Sequence, residues 1–200
     1  ITETVSVDMI APDTPDVASY TRDHTGLRGI TLDTGEGDVS IGHVVQGSGG
    51  FEVDEVTFSS FEMPTLGETA FNFNAVVPDG SHLVVTATDD AGNVSGTYLV
   101  VDDTTTSEVA MTGQLATTLS EFNIETIDLQ FAEESQLTIT EAQLVALSSN
   151  SDTLTVEGGS DDSVTISGAN NIGNDGEGYN LFQLGDATVR IDEDITNVVI

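Results

Sequence analysis

Acidic side chains cluster in the predicted turns of this chain, where they could bind a cation through oxygen. One predicted loop holds Asp89, Asp90 and Asn93 between two strand-like runs. Ca²⁺ takes about six to eight oxygen ligands from carboxylates, amide oxygens, backbone carbonyls and water. We therefore expect Ca²⁺ to be the cofactor of this chain, bound where acids from different segments meet.

Other acids lie at the two ends of the first half of the chain and around turns of the second half. One set of these acids could converge with the Asp89 loop at one pole of a β-sandwich. The alternative is a solvated acidic surface, because a chain with 35 acidic residues places some of them in any loop. The predicted metal ligands are Asp8, Asp13, Asp89, Asp90, Asn93, Asp102, Asp103, Asp161, Asp162, Asp192 and Asp194.

The charge balance excludes several classes of partner. The 35 acidic residues face three arginines, which gives a formal net charge of -32. Such a chain repels nucleic acid and anionic membrane surfaces, and no apolar run approaches the ~20 residues of a membrane span. Hydrophobic residues make up 38% of the chain, which predicts a folded protein rather than a disordered acidic one. Cysteine is absent, so disulfides and cysteine–zinc sites are excluded.

No pattern in the sequence predicts catalysis. His24, His43 and His82 are isolated and lack the paired spacing of a zinc site. The Gly-x-Ser-x-Gly elbow of serine hydrolases is absent, and carboxylate pairs are uninformative in so acidic a chain. We therefore expect that the protein is not an enzyme and that His82 is an ordinary surface side chain.

Twofold alternation of apolar and polar residues predicts a mainly β fold. Strand-like runs separated by turn signals at roughly 8–12 residues favour antiparallel sandwiches over a parallel sheet with crossover helices. The Thr140-x-x-Gln143 capping box instead predicts a short helix, with residues 144, 145 and 147 facing a sheet. A second helix is expected near residues 116–121. The predicted strands lie at residues 71–76, 83–88, 153–156, 163–166 and 187–191.

A near-repeat predicts two domains. Val7-Asp8 is matched by Val101-Asp102 at about the length of one immunoglobulin-like unit. We predict domains at residues 1–104 and 105–200, within a longer protein. The stretch at 102–107 is expected to act as a hinge. A Ca²⁺ ion shared between Asp102 and Asp103 and the Asp89/Asp90 loop at the same pole would stiffen it.

Residues 78–95 resemble the last hairpin of a bacterial immunoglobulin-like repeat. The resemblance implies an immunoglobulin-like β-sandwich with calcium at the junctions between repeats. Residues 8–12 supply the equivalent end of the preceding unit. The matching residues are Asp79, Gly80, His82, Leu83, Ala87, Asp89, Ala91, Gly92, Asn93 and Ser95, followed by Val101, Asp102 and Thr104.

The second half is similar to a module of giant RTX adhesins, the type I-secreted surface proteins of Gram-negative bacteria that include biofilm and ice-binding adhesins. The resemblance implies a β-rich second domain with one or two short helices, located at the bacterial cell surface. In some of these adhesins a related module is split by a lectin-like insert, so a split-domain type is one possibility. The matching runs are 137–144 (LTITEAQL), 152–158 (DTLTVEG), 161–166 (DDSVTI) and 185–192 (GDATVRID).

Together these inferences predict a non-catalytic, Ca²⁺-binding structural segment that extends or presents the ligand-binding domains of a large adhesin. The alternative is an adhesion module that binds glycan or peptide through residues 22–62 or 168–182. We expect a monomer whose partners are neighbouring domains of the same chain. Through those domains it would reach host or algal surface glycans or peptides, with neither nucleic acid nor membrane insertion involved.

Overall fold

The computed structural model describes residues 8–33, 35, 37–101 and 108–200. Strands make up 53% of the chain and helices 9%, which confirms the predicted mainly β fold class. The described helices are α1 (Gly113–Leu119) and α2 (Glu141–Leu147), with a 3₁₀ turn at Ser120–Phe122. The described strands are β1 (Val17–Asp23), β2 (Gly26–Asp33), β3 (Asp38–Gly47), β4 (Gly50–Glu55), β5 (Phe58–Met63), β6 (Glu68–Val77), β7 (Leu83–Thr88), β8 (Val94–Leu99), β9 (Glu108–Ala110), β10 (Ile124–Asp128), β11 (Gln136–Thr138), β12 (Thr153–Glu157), β13 (Ser163–Thr165), β14 (Asn170–Asn174), β15 (Tyr179–Leu184), β16 (Ala187–Asp192) and β17 (Asn197–Val199).

The first half of the chain forms an antiparallel sandwich. A sheet in the order β1-β2-β6-β5 packs against the face of β3, β7 and β8 that carries Leu83, Val85 and Leu99. Alternation places Phe71 and Phe73 of β6 in this core, as their period-two spacing predicts. The sandwich agrees with the predicted architecture here, while its immunoglobulin-like assignment stays a prediction.

In the second half, the chain winds in successive turns between two sheets of parallel strands, and we call this half the coil. The chain passes from one sheet to a facing sheet four times, through β8 to β9, β10 to β11, β12 to β13 and β16 to β17. It returns through α1, α2 and the β14–β15 hairpin, so each strand lies beside the strand of the previous turn and pairs with it in parallel. The expectation of antiparallel pairing is therefore wrong for the strands that form the turns of the coil, whereas β14, β15 and β16 do pair in antiparallel fashion. Short alternating strands fit either direction, and the return path decides between them.

One sheet joins the two halves. Its nine strands run in the order β14-β15-β16-β12-β10-β8-β7-β3-β4, across the boundary predicted at residues 104 and 105. Tyr98 of β8 lies beside Ile127 of β10 and belongs to the core of the coil. Leu99, the next residue, points into the core of the sandwich. The stretch at 102–107, for which a hinge is expected, lies outside the described residues. Strands β8 and β10, which come before and after it in the chain, pair with each other in the shared sheet.

Local signals place the two helices. The Gln143 side chain accepts a hydrogen bond from the Thr140 backbone N–H at 2.9 Å, completing the predicted capping box of α2. Leu144 and Leu147 are buried, but Val145 is 49% exposed. The prediction that Val145 also faces the sheet is wrong, since the residue after a buried helical position turns about 100° away. No helix in the described ranges has the length and hydropathy needed to cross a bilayer.

His82 differs from its predicted role as a surface side chain. It lies just before β7 and is half-buried, and its Nδ1 is 2.6 Å from the hydroxyl oxygen of the buried Tyr98. The two rings meet edge to face, with 5.4 Å between their centroids. A buried phenol needs a hydrogen-bond partner, and His82 supplies one where the sandwich meets the coil.

Candidate functional site

A leading segment, residues 8–16, lies across the face of the shared sheet that is turned away from the coil core. The buried Ser95 hydroxyl donates to the Asp13 carbonyl at 3.1 Å, and the buried Thr97 hydroxyl donates to the Pro15 carbonyl at 2.6 Å. Both donors stand on β8 and point away from the coil core. The leading segment is therefore held by its backbone oxygens, which leaves its acidic side chains free to face neighbouring elements.

Parallel register brings carboxylates together beside this segment. Asp128 at the end of β10 pairs with Glu157 at the end of β12. The pairing of Val156 with Ile191 places Glu157 beside Asp192 at the end of β16. Asp16 of the leading segment interacts electrostatically with both Asp128 and Glu157. We call Asp16, Asp128, Glu157 and Asp192 the acidic seam.

The acidic seam is unfavourable for ionised carboxylates. Burial raises the pKa of Asp128 to about 7, even though its side chain accepts the Gln130 N–H at 2.9 Å, and the carboxylates of Glu157, Asp16 and Asp162 raise it further. Burial likewise raises the pKa of Asp16, assisted by Asp33. Burial is also the main cause of the raised pKa of Glu157. Like charges crowded in a region of low dielectric disfavour one another's ionisation.

Positive charge is scarce around the acidic seam. Arg190 on β16 stacks over the Tyr179 ring at 4.3 Å, and its guanidinium binds Asp175 at 2.8 Å. The Tyr179 hydroxyl donates to Glu157 at 2.6 Å, which stabilises the Glu157 carboxylate by a hydrogen bond. Arg22 and Arg28 form ion pairs with Asp79 and Asp23 in the first half of the chain.

A second acidic group lies at one pole of the sandwich. We call Asp8, Asp89, Asp90 and Asn93 the acidic pole, because the three aspartates line one cleft and Asn93 fixes the loop against the leading segment. The Asn93 amide donates to the Ile10 carbonyl at 3.1 Å and to Asp89 at 2.7 Å. The structure thus brings together acids from the leading segment and from the loop between β7 and β8.

Hydrogen bonds within the Asp89 loop already occupy part of its acceptor capacity. Asp89 Oδ1 accepts the backbone N–H groups of Ala91 and Asn93 at 2.8 Å each. The Asn93 amide is the main cause of the lowered pKa of Asp89, which therefore stays ionised into more acidic solution. An ionised carboxylate is the form that a hard divalent cation binds.

The other predicted ligands are dispersed. Asp13 lines a separate cavity with Asp16 and Asp33. Asp161 is exposed, whereas its neighbour Asp162 is 2% exposed and accepts two backbone N–H groups. The Asp192 side chain accepts the backbone N–H of Asp194 at 2.9 Å in an exposed turn.

Two of the predicted ligands, Asp102 and Asp103, lie outside the described residues. Within the described ranges, no three His, Cys, Asp or Glu side chains form a group that could hold a metal ion. The metal assignments therefore stay predictions.

Sequence reasoning missed the two most buried members of the acidic seam, Asp128 and Glu157. The available signal was an apolar residue followed by an acid at the end of a strand-like run. It occurs in Ile127-Asp128, Val156-Glu157 and Ile191-Asp192. Recognising it required parallel register, in which equivalent positions of successive turns stack above one another.

Comparison of the chain with protein-family models, curated proteins and solved structures found no match in any of the three. The resemblance to RTX adhesins therefore rests on the sequence motifs alone. Function is argued from the residues and contacts described above.

Proposed function

We propose that this chain is a non-catalytic, Ca²⁺-binding structural segment of a large cell-surface adhesin, which extends or presents ligand-binding domains. The observation that carries the structural role is the nine-stranded sheet, to which both halves of the chain contribute strands. A segment that spaces or presents other domains must resist bending when force is applied to its ends. A continuous hydrogen-bonded sheet with buried residues on both faces resists bending between the halves.

The cation requirement follows from charge. The formal net charge of -32 opposes a compact chain, and the acidic pole gathers carboxylates from two segments distant in sequence. Asp8, Asp89 and Asp90 line one cleft but do not already form a group that could hold a metal ion. The proposal therefore requires that these carboxylates draw together when Ca²⁺ binds, with nearby backbone carbonyls as neutral ligands. A bound Ca²⁺ would be coordinated by carboxylates of both segments, so their mutual repulsion would be replaced by attraction to the same cation.

We predict that Ca²⁺ raises the melting temperature of the chain. A cation that binds only the folded state adds about 2.7 kcal/mol at one hundred times its Kd, which corresponds to roughly 5–10 °C for a chain of this size. Melting curves measured in millimolar Ca²⁺ and in excess chelator, at equal ionic strength, test this. Superimposable curves would contradict the cation part of the proposal.

Substitutions at Asn93 test whether Ca²⁺ binds at the acidic pole. Asn93→Asp removes the amide donor to Ile10 and Asp89 and adds a carboxylate, so in chelator we expect destabilisation by about 1–3 kcal/mol. In Ca²⁺ the added carboxylate becomes a ligand, and the rise in melting temperature should exceed that of the parent chain. Asn93→Ala is the matched control, because it loses the same bonds without gaining a ligand. Equal Ca²⁺-induced rises in the two variants would place any bound Ca²⁺ away from the acidic pole.

A further inference from the structure

A buried titratable group lies where the leading segment docks. Asp128 is 4% exposed, and it stands on β10 beneath residues 8–16. The same strand contacts the segment through the Thr126 hydroxyl, which donates to the Thr14 hydroxyl at 3.2 Å. The Asp16 carbonyl accepts the Asp33 N–H at 3.0 Å on the other side of the segment. The segment is thus held between β2 and the shared sheet. The carboxylate of Asp16, an exposed residue, lies close enough to contribute to the raised pKa of Asp128.

We propose that this contact is a pH-dependent latch, in which the leading segment is held firmly while Asp128 is protonated and is loosened when Asp128 ionises. The reason is local charge. An ionised Asp128 interacts electrostatically with Asp16, and withdrawal of the segment would both separate the two carboxylates and admit water to Asp128. The proposal does not rest on Ca²⁺ binding, but a Ca²⁺ ion on Asp8 would also hold the segment, so the latch is tested in chelator.

Among the described residues, no cationic side chain forms an ion pair with Asp128. Its neighbour on β8 is the uncharged Leu99. Arg190 lies beyond Glu157 and is bound to Asp175. The titratable groups that interact electrostatically with Asp128 are Glu157 on β12, Asp16 on the leading segment and Asp162 in the turn after β12. Asp33 interacts in turn with Asp16, and Asp192 with Glu157.

The direction of the pH effect follows from linkage. A carboxyl whose pKa is higher in the docked state than in the released state favours docking when it is protonated. For Asp128, with a docked pKa of about 7 against an ordinary value of 3.8, that contribution is complete in acid. It is lost as the pH rises through about 7. Docking should therefore weaken across the neutral range.

Amide hydrogen exchange at Asp33 tests the latch, because its N–H is donated to the Asp16 carbonyl. The measured quantity is the protection factor, the exchange rate relative to that of an unstructured peptide at the same pH. In excess chelator at fixed ionic strength, we expect it to fall by roughly thirtyfold between pH 5.5 and pH 8 in the parent chain, with most of the fall below pH 7. The Asp128 carboxyl resonance should titrate over the same range.

Two variants sharpen the test. Asp128→Asn keeps an oxygen that can accept the Gln130 N–H and removes the titration, so the Asp33 protection factor should become independent of pH. Asp186→Asn removes one charge from an exposed turn, and it should retain the pH dependence of the parent chain. If Asp128→Asn fails to fold, the parent titration decides alone. A constant protection factor in the parent chain, or an unchanged pH dependence in Asp128→Asn, would overturn the proposal.

Discussion

Replacing Ile127 with alanine should destabilise both halves of the chain in one unfolding transition. Ile127 is fully buried on β10, between Tyr98 of β8 and Val156 of β12. Removing its branched side chain leaves a cavity and costs about 2–5 kcal/mol, which should lower the melting temperature by roughly 5–15 °C. Because β10 is hydrogen-bonded to β8, the loss should reach the sandwich as well as the coil.

Hydrogen exchange followed by mass spectrometry can report the two halves separately. In Ile127→Ala, the free energy of global unfolding derived from exchange should fall by the same amount for peptides covering β2 in the sandwich and for peptides covering β12 in the coil. Ile172→Ala is the matched control, because Ile172 is 54% exposed on the edge strand β14. It should change the stability by less than about 0.5 kcal/mol. Loss of protection confined to the coil would show that the halves fold independently.

The parts of this fold that sequence predicts well are those set by neighbouring residues. The alternation of Phe71 and Phe73 fixes which face of β6 is buried, and the Thr140–Gln143 capping box fixes where α2 begins. Both signals act over a few residues and need no knowledge of the remaining chain. The Asp89–Asn93 loop belongs to the same class, because the hydrogen bonds that the Asp89 side chain accepts close within the loop.

Parallel pairing could not be predicted in the same way. The alternation in β12 and β16 is the same for a parallel or an antiparallel partner, and only the return through α1, α2 and the β14–β15 hairpin sets the direction. The acidic seam depends on that register. From the sequence, Asp128 and Glu157 could not be distinguished from the other acidic residues of the chain, which has 35 in all. In the coil they are paired on neighbouring strands.

Asp162 shows how one carboxylate can support two explanations that an experiment can separate. It was predicted to be a metal ligand, but its Oδ1 accepts the Ser135 N–H at 2.8 Å and its Oδ2 accepts the Gly159 N–H at 2.7 Å. The side chain thereby ties the turn after β12 to the segment before β11. Gly158 sits so close that a Cβ there would lie 2.7 Å from Asp162 Oδ2.

Replacing Asp162 with alanine should lower the stability by about 2–4 kcal/mol, because two backbone N–H groups, one on the fully buried Ser135, lose their acceptor at about 1–3 kcal/mol each. Burial raises the pKa of Asp162 and so offsets part of the carboxylate's benefit at neutral pH. Chemical denaturation of the parent chain and of Asp162→Ala measures the loss. The exposed neighbour provides the control, since Asp161→Ala should cost less than about 0.5 kcal/mol.

Repeating these measurements in Ca²⁺ and in excess chelator separates the turn from a metal site. If Asp162 serves the turn, the loss in Asp162→Ala is the same in both solutions, because the unpaired Ser135 and Gly159 N–H groups remain whether or not a cation is present. If Asp162 is instead a Ca²⁺ ligand, the loss is larger in Ca²⁺, since the variant then also forfeits binding energy that the parent chain retains. We expect equal losses, because both Asp162 oxygens already accept short hydrogen bonds from the backbone.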